Sequence, residues 1–371
     1  MQPERQYALD NLRVLVIFLV VVLHAAISYM AFAPAWWYVL DPGRSLFFTG
    51  VVLVVDVPIM LIMFFLAGYF TFGSLAKRGA GRFLRDKLVR IGLPWVLGTL
   101  LLAPPTAYMI YYSRRVPMGL GTFWATDFWG KAYQQSVYWY LGVLLALFAL
   151  AALAYLLAPA FRNWQARTQR PGWALLAGFV LVMTAASLAL VRAGHSLDQW
   201  SHCYLFVYQP ARTPLYLGYF ALGVYASQRG WFLDGGFAPR LGPWLACCVL
   251  SGAAYLGSRL FLPPGSDGTL AGQVLVTFLF NLFCFASLPA GVAAARAVLD
   301  RDTPLWRSQA RNSYGVYYLH PLILYPLALA LVPLQLSIYG KFLAITLLAY
   351  LLSWAVSAAL LTRAPGLRRM F

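Results

Sequence analysis

Apolar residues in this chain do not alternate with polar ones; they come in long runs. Ten runs stand out, at 9–32, 46–72, 91–112, 138–158, 173–193, 207–227, 243–262, 270–295, 313–333 and 339–361. About 20 apolar residues in a helix are needed to cross the hydrocarbon of a bilayer, so each run predicts a transmembrane helix. Pro210, Pro214, Pro321 and Pro326 interrupt the sixth and ninth runs. Proline is tolerated in membrane helices and marks a kink or the wall of a cavity. The connecting loops are short, the longest being Ser113 to Val137, Gly73 to Arg90 and Arg296 to Asn312. The pattern therefore predicts an all-α polytopic membrane protein of about ten transmembrane helices, with residues 1–371 forming one domain. It shows no internal repeat, which weighs against a secondary transporter.

Composition supports the bilayer as the chain's first partner. With 61% hydrophobic and 11% charged residues, a water-soluble domain could not hide its apolar surface. The net charge of +17 raises the question of nucleic acid. The basic residues answer it, because they sit in short loops between apolar runs and not on one soluble face. Their distribution sets an orientation. With the N-terminus inside, the inner segments hold 19 Lys and Arg, among them Arg5, the run Lys77 to Arg90, Arg162 to Arg170 and Arg363 to Arg369, and the outer loops hold four. By the positive-inside rule both termini are predicted to be cytoplasmic. Ala31-Phe32-Ala33 has the look of a signal-peptide cleavage site, but Glu4 and Asp10 precede it and the apolar run is too long, so the first helix reads as retained. The four cysteines show neither a metal knuckle nor a disulfide framework, and read as small core residues. No metal is expected, since the four histidines are scattered and no ligand spacing appears.

Ionisable groups inside a bilayer are costly and are functional candidates for that reason. In the first helix Arg13 and His24 stand eleven residues apart. At ~1.5 Å and ~100° per residue they leave one face, roughly 16 Å apart. Arg13 could pair with Asp10 or snorkel to lipid phosphate, or it could clamp an anion. His24 could be a structural imidazole or a general base. Asp56 interrupts the second run at a comparable depth; it could sit behind His24 and favour its imidazolium, or pair with Arg212. His320, just before Pro321, is structural or catalytic. His195 and His202 read as outer-loop residues, solvated or in contact with an acceptor.

These residues fall into a familiar order. Leu9-Asp10-x-Leu12-Arg13 and, after ten intervening residues, His24 resemble the opening motif of the acyltransferase-3 family of membrane O-acyltransferases. Phe64-Phe65-Leu66-Ala67-Gly68-Tyr69-Phe70 is similar to the family's end of the second helix, with Ala67 where Ser is usual. Arg82-Phe83-x-x-Asp86-Lys87-x-x-Arg90-x-x-x-Pro94, Trp139-Tyr140-Leu141, and Ser313-Tyr314-Gly315-Val316-Tyr317-Tyr318-Leu319-His320-Pro321 resemble later family stretches. Gln209 to Pro214 and Tyr216 to Gly223 look like the branch of glucan-biosynthesis C proteins, thought to succinylate periplasmic glucans.

The resemblance implies an enzyme in a bacterial inner membrane that moves an acetyl or succinyl group from cytoplasmic acetyl-CoA or succinyl-CoA to a glycan or glucan hydroxyl. Arg13 and His24 match the family's paired Arg and His, and His320 its late His. Arg82, Arg85, Lys87 and Arg90 are then expected to attract the acyl-CoA phosphates, with Arg13 deeper along the same route. Arg212, Trp139 and Tyr140 are expected on the acceptor side. Asp56 matches no family position. Some members carry a fused esterase-like domain; the sequence ends ten residues after its last run, so none is expected here. A transporter or lipid flippase using His24, Asp56 and Arg212 as a relay is the competing class; a non-catalytic membrane scaffold is the third.

Overall fold

The structure, a computed structural model, describes residues 6–164, 167–233 and 235–371. Glu4 and Arg5, used above for the retained first helix and the orientation, lie outside the described residues. Ten main helices follow one another: α1 Tyr7–Ile27, α2 Leu46–Arg78, α3 Ala80–Ser113, α4 Ser136–Leu157, α5 Trp173–Arg192, α6 Thr213–Gln228, α7 Leu241–Phe261, α8 Leu270–Leu299, α9 Pro304–Leu331 and α10 Ile338–Leu361. A two-residue turn joins the short antiparallel strands β1 (Ser201–Cys203) and β2 (Phe206–Tyr208). The protein is thus an all-α polytopic membrane protein.

Among the described residues, nine helices are long and apolar enough to span a membrane. The sixth predicted span is the exception. Its first residues are spent on β2 and on a 3-10 turn, Pro210–Arg212, and α6 itself has 16 residues. At ~1.5 Å per residue it is about 24 Å long. Proline explains the delay, because Pro210 and Pro214 cannot donate into a helix and fit at least cost in a first turn, where Pro214 stands.

Helix starts elsewhere follow local chemistry. Thr269, Thr303 and Ser337 each precede a helix in extended conformation and accept from the backbone amides of Gly272, Trp306 and Gly340. A hydroxyl there satisfies one of the amides that the first turn leaves open.

The chain forms two compact units. The first comprises the described residues up to Arg13, Val57–Asp86 and Ala146–Asp302; the second comprises Val14–Asp56, Lys87–Leu145 and Thr303–Phe371. In the first, α7 packs along α8 and α8 along α5. Val249, Leu250 and Phe261 of α7 and Leu181 and Val182 of α5 stay exposed, as lipid-facing side chains do. Lipid removes the hydrophobic drive for helices to pair, so small residues and close backbone approach take over. The α2–α6 contact is built that way on both sides. A Cβ at Gly68 would fall 2.0 Å from the Phe220 carbonyl oxygen, and one at Gly223 would fall 2.1 Å from that of Phe65. Gly223→Ala therefore has to push two backbones apart. We expect it to cost about 1–3 kcal/mol, seen as a lowered melting temperature in detergent, while Gly50→Ala, where a Cβ meets open space, leaves the melting temperature unchanged.

In the second unit α9 packs against α10 and against the C-terminal part of α3. Prolines shape this packing. Pro94 has no amide hydrogen and cannot serve the Arg90 carbonyl one turn earlier. The Tyr314 hydroxyl of α9 donates to that carbonyl at 3.0 Å, and the Tyr318 hydroxyl donates to the Pro94 carbonyl at 3.0 Å. Two π-helical turns, Leu88–Gly92 and Gly98–Leu102, flank the same stretch of α3.

Candidate active site

The same proline logic places the first functional side chain. Pro321 cannot donate to the Tyr317 carbonyl, and the neighbouring His320 takes the acceptor instead, with Nδ1 at 2.8 Å. A carbonyl only accepts, so the nitrogen facing it carries the proton. The neutral ring then presents a bare lone pair at Nε2. His320 is 0% exposed, and its Nε2 has no hydrogen-bond partner among the described residues.

His24 on α1 is arranged alike. Its Nδ1 faces the Val20 carbonyl at 2.7 Å, so in a neutral ring the lone pair lies on Nε2. The two imidazole centroids are 5.0 Å apart, nearly edge to face. Trp37 stacks on His24 with centroids 5.7 Å apart and an interplanar angle of 29°. Tyr325, one turn beyond His320, meets Trp37 edge-on at 5.7 Å and stacks on Tyr38 at 4.1 Å.

Trp37 and Tyr38 belong to the loop between α1 and α2, which sequence reading passed over. Three anchors hold it. Arg114 donates to the carbonyls of Ala35 and Trp37 at 2.7 and 2.9 Å. Ser113 donates to the Tyr38 carbonyl at 2.9 Å. Lys341 of α10 forms a buried ion pair with Asp41 at 2.9 Å and also donates to the Val332 carbonyl at 3.0 Å. Burial of the Tyr38 hydroxyl pushes its pKa above the ordinary phenol value, so it remains a neutral donor, bonded to Gln134 at 2.7 Å.

The cluster has an unusual polar account. Besides His320 Nε2, the Trp37 indole nitrogen and the Tyr325 hydroxyl are buried without a partner among the described residues. Buried polar atoms are nearly always bonded, and each exception asks for a reason. Here one bare acceptor and two bare donors adjoin a pair of imidazoles. Asp56 completes the electrostatics, as its carboxylate lies within range to act on His24.

The other residues named from sequence are placed as follows. Tyr140 is buried and packs on Tyr317 at 5.8 Å, and Tyr317 in turn on His320 at 6.2 Å; Trp139 is buried beside Tyr140. These join the histidine cluster in the second unit. Lys87 and Arg90 are also in the second unit, and Arg82 and Arg85 in the first, along the start of α3. Arg82, Arg85 and Arg90 are exposed, and Lys87 is half-buried. Arg13 makes a 3.5 Å pair with Asp10, one turn earlier on α1. Arg212 lies in the first unit, buried, donating to Asp198 at 2.9 Å and to the Leu197 carbonyl at 2.8 Å, with its guanidinium over Phe280. Arg259 reaches the other oxygen of Asp198 at 2.8 Å. Burial works against the Asp198 charge, but the two guanidiniums outweigh it and hold the carboxyl below the usual range.

Pro321 offers a test of the His320 geometry. Pro321→Ala restores an amide that competes for the Tyr317 carbonyl, which frees the ring to turn. We expect the turnover number to fall about tenfold or more, the order seen when supporting hydrogen bonds are loosened, with the donor KM unchanged. An unaltered turnover number would show that the tautomer lock is dispensable.

A bundle of membrane-crossing helices with two neighbouring buried imidazoles defines a polytopic membrane protein with a candidate site inside it. The sequence profile of the acyltransferase-3 family, described as an acyltransferase domain, matches residues 6–361, nearly the whole chain. The chain belongs to this family and is a multi-pass membrane acyltransferase. Searches of curated proteins and of solved structures returned no match.

Proposed function

We propose that the enzyme moves an acyl group, acetyl or succinyl, from acyl-CoA on the cytoplasmic side to a hydroxyl of a glycan, a glucan in the closest reading, outside a bacterial inner membrane. The observation that carries this is the clustering of unpartnered atoms, the Nε2 of His320, the indole N–H of Trp37 and the phenol O–H of Tyr325, around the ring of His24. Acyl transfer to a hydroxyl needs a base for the hydroxyl proton and donors for the oxygen on which charge gathers. The cluster supplies both kinds of group.

In this reading His24 Nε2 takes the acceptor's proton as its oxygen attacks the thioester carbonyl. The Trp37 indole and the Tyr325 hydroxyl donate to the oxyanion. The C–S bond then breaks, the imidazolium returns its proton to the leaving thiolate, and free CoA departs. His320 Nε2 accepts a hydrogen bond from the acceptor hydroxyl or from protonated His24, while the Asp56 charge favours the imidazolium. Arg82, Arg85, Lys87 and Arg90 attract the donor's phosphates. Arg13, paired with Asp10, is retained on the donor's path by its place on α1.

The deciding experiment incubates purified enzyme with radiolabelled acetyl-CoA or succinyl-CoA. Release of CoA that depends on added glucan, with label on the glucan, supports the reading. No acceptor-dependent release with either donor overturns it.

A further inference from the structure

A cavity of about 640 Å³ opens in the first unit, and none of the residues that line it is used in the proposed chemistry. Its walls are the loop after α5, the end of α7 with the turn that follows, and the first turns of α8. The volume lies within the roughly 300–1,000 Å³ typical of small-molecule sites. From its walls we infer that it binds a neutral sugar unit of the acceptor glycan. The inference rests on the proposed transfer to a glycan and adds the place where that glycan is held.

The chemistry of the walls carries the argument. Asp198, Asp267 and Arg259 line the cavity, so carboxylates outnumber guanidiniums there. The nearby guanidiniums are engaged by protein groups, Arg212 and Arg259 by Asp198 and Arg192 by Gln273, which disfavours a phosphate or a polyanion. Asp198 is fixed by Arg212 and Arg259 at 2.9 and 2.8 Å yet leaves half of its side chain exposed. It is a preorganised acceptor for hydroxyls. Gln273 is prepared the other way round: Arg192 donates to its carbonyl oxygen at 3.2 Å, which turns its amide N–H₂ into the group on offer. His195, also on the wall, has a buried Nδ1 with no hydrogen-bond partner among the described residues. Fixed donors and acceptors side by side are what a polyol needs, since each hydroxyl both donates and accepts. Val276 on α8 supplies an apolar surface for the C–H face of a sugar ring. The loops involved are those that the basic-residue asymmetry puts outside, on the side an acceptor glycan would approach.

The test uses the full-length enzyme in detergent, with a β-linked glucose disaccharide as probe and isothermal titration calorimetry as readout. Wild type and His24→Ala are expected to bind the disaccharide equally, because His24 is not among the residues that line the cavity. Gln273→Leu and the cavity-filling Val276→Trp are expected to weaken binding at least tenfold at unchanged melting temperature. In the transfer assay they raise the acceptor KM at least tenfold, with the donor KM unchanged. Disaccharide binding untouched by both cavity variants, or none in wild type at 100 mM, overturns the inference. So does stronger binding of inositol hexakisphosphate at the same residues. Cavity-dependent disaccharide binding in an enzyme that shows no transfer to glucan leaves this inference standing and removes the proposed function instead.

Discussion

His24→Ala is expected to keep its fold and lose acyl transfer by about 10²–10⁴-fold, the contribution of a positioned general base. The substitution is structurally mild for a reason visible in α1. The Val20 carbonyl that faces His24 Nδ1 already accepts the backbone amide of residue 24 within the helix, so it is not left bare. The Tyr317 carbonyl has no such reserve, because Pro321 cannot donate to it. His320→Ala would therefore orphan a buried carbonyl, at a cost of about 1–3 kcal/mol, and mix stability with chemistry. His24 is the cleaner probe. The assay is acceptor-dependent CoA release, with circular dichroism and thermal melting in detergent to verify the fold. Wild-type turnover in His24→Ala would remove His24 from the mechanism.

The second large effect is on stability. Asp41 and Lys341 have side chains only 6% and 5% exposed and are joined at 2.9 Å. Removing one partner of a buried pair strands the other charge, which typically costs about 3–5 kcal/mol. Lys341→Met should cost that much, and Asp41→Asn nearly as much. The double variant should be less destabilised than either single one, since no charge is left unpaired. Denaturation of detergent-solubilised protein for the wild type and the three variants completes the cycle. Additive losses would show that the pair is not coupled. Because Asp41 shares its loop with Trp37, both single variants should also lower turnover.

What could be read in the sequence, and what could not, follows from the range of the interactions. The ten helices are visible because apolar runs are local, and their ends moved where polar residues continue a helix. The second run, set at 46–72, is the helix Leu46–Arg78, whose last turns carry Lys77 and Arg78 beyond the apolar part. His24, Asp56 and His320 stood out as ionisable groups inside apolar runs, and the second unit brings them together. Trp37 and Tyr325 did not stand out, because aromatic residues make up 16% of the chain and nothing local distinguishes these two. Trp36-Trp37-Tyr38 was the available signal, an aromatic triplet in a loop with an Asp-Pro-Gly turn shortly after it. The Asp41–Lys341 pair spans 300 positions and leaves no trace in either neighbourhood. For Arg212 the sequence offered Asp56 or an acceptor; Asp198, in the loop just before α6, is the partner that holds it.

The anchoring of the Trp37 loop has a consequence for biosynthesis. His24 emerges from the ribosome near the start of translation, whereas Lys341, which fixes the loop carrying its stacking partner, emerges close to the end. A nascent chain with eight helices inserted lacks both His320 and Lys341. The imidazole of α1 then has neither its partner ring nor its pinned indole, and the histidine cluster is incomplete. The histidine cluster is complete only with the last hairpin, α9 and α10, so a chain truncated before α10 is expected to lose both turnover and stability.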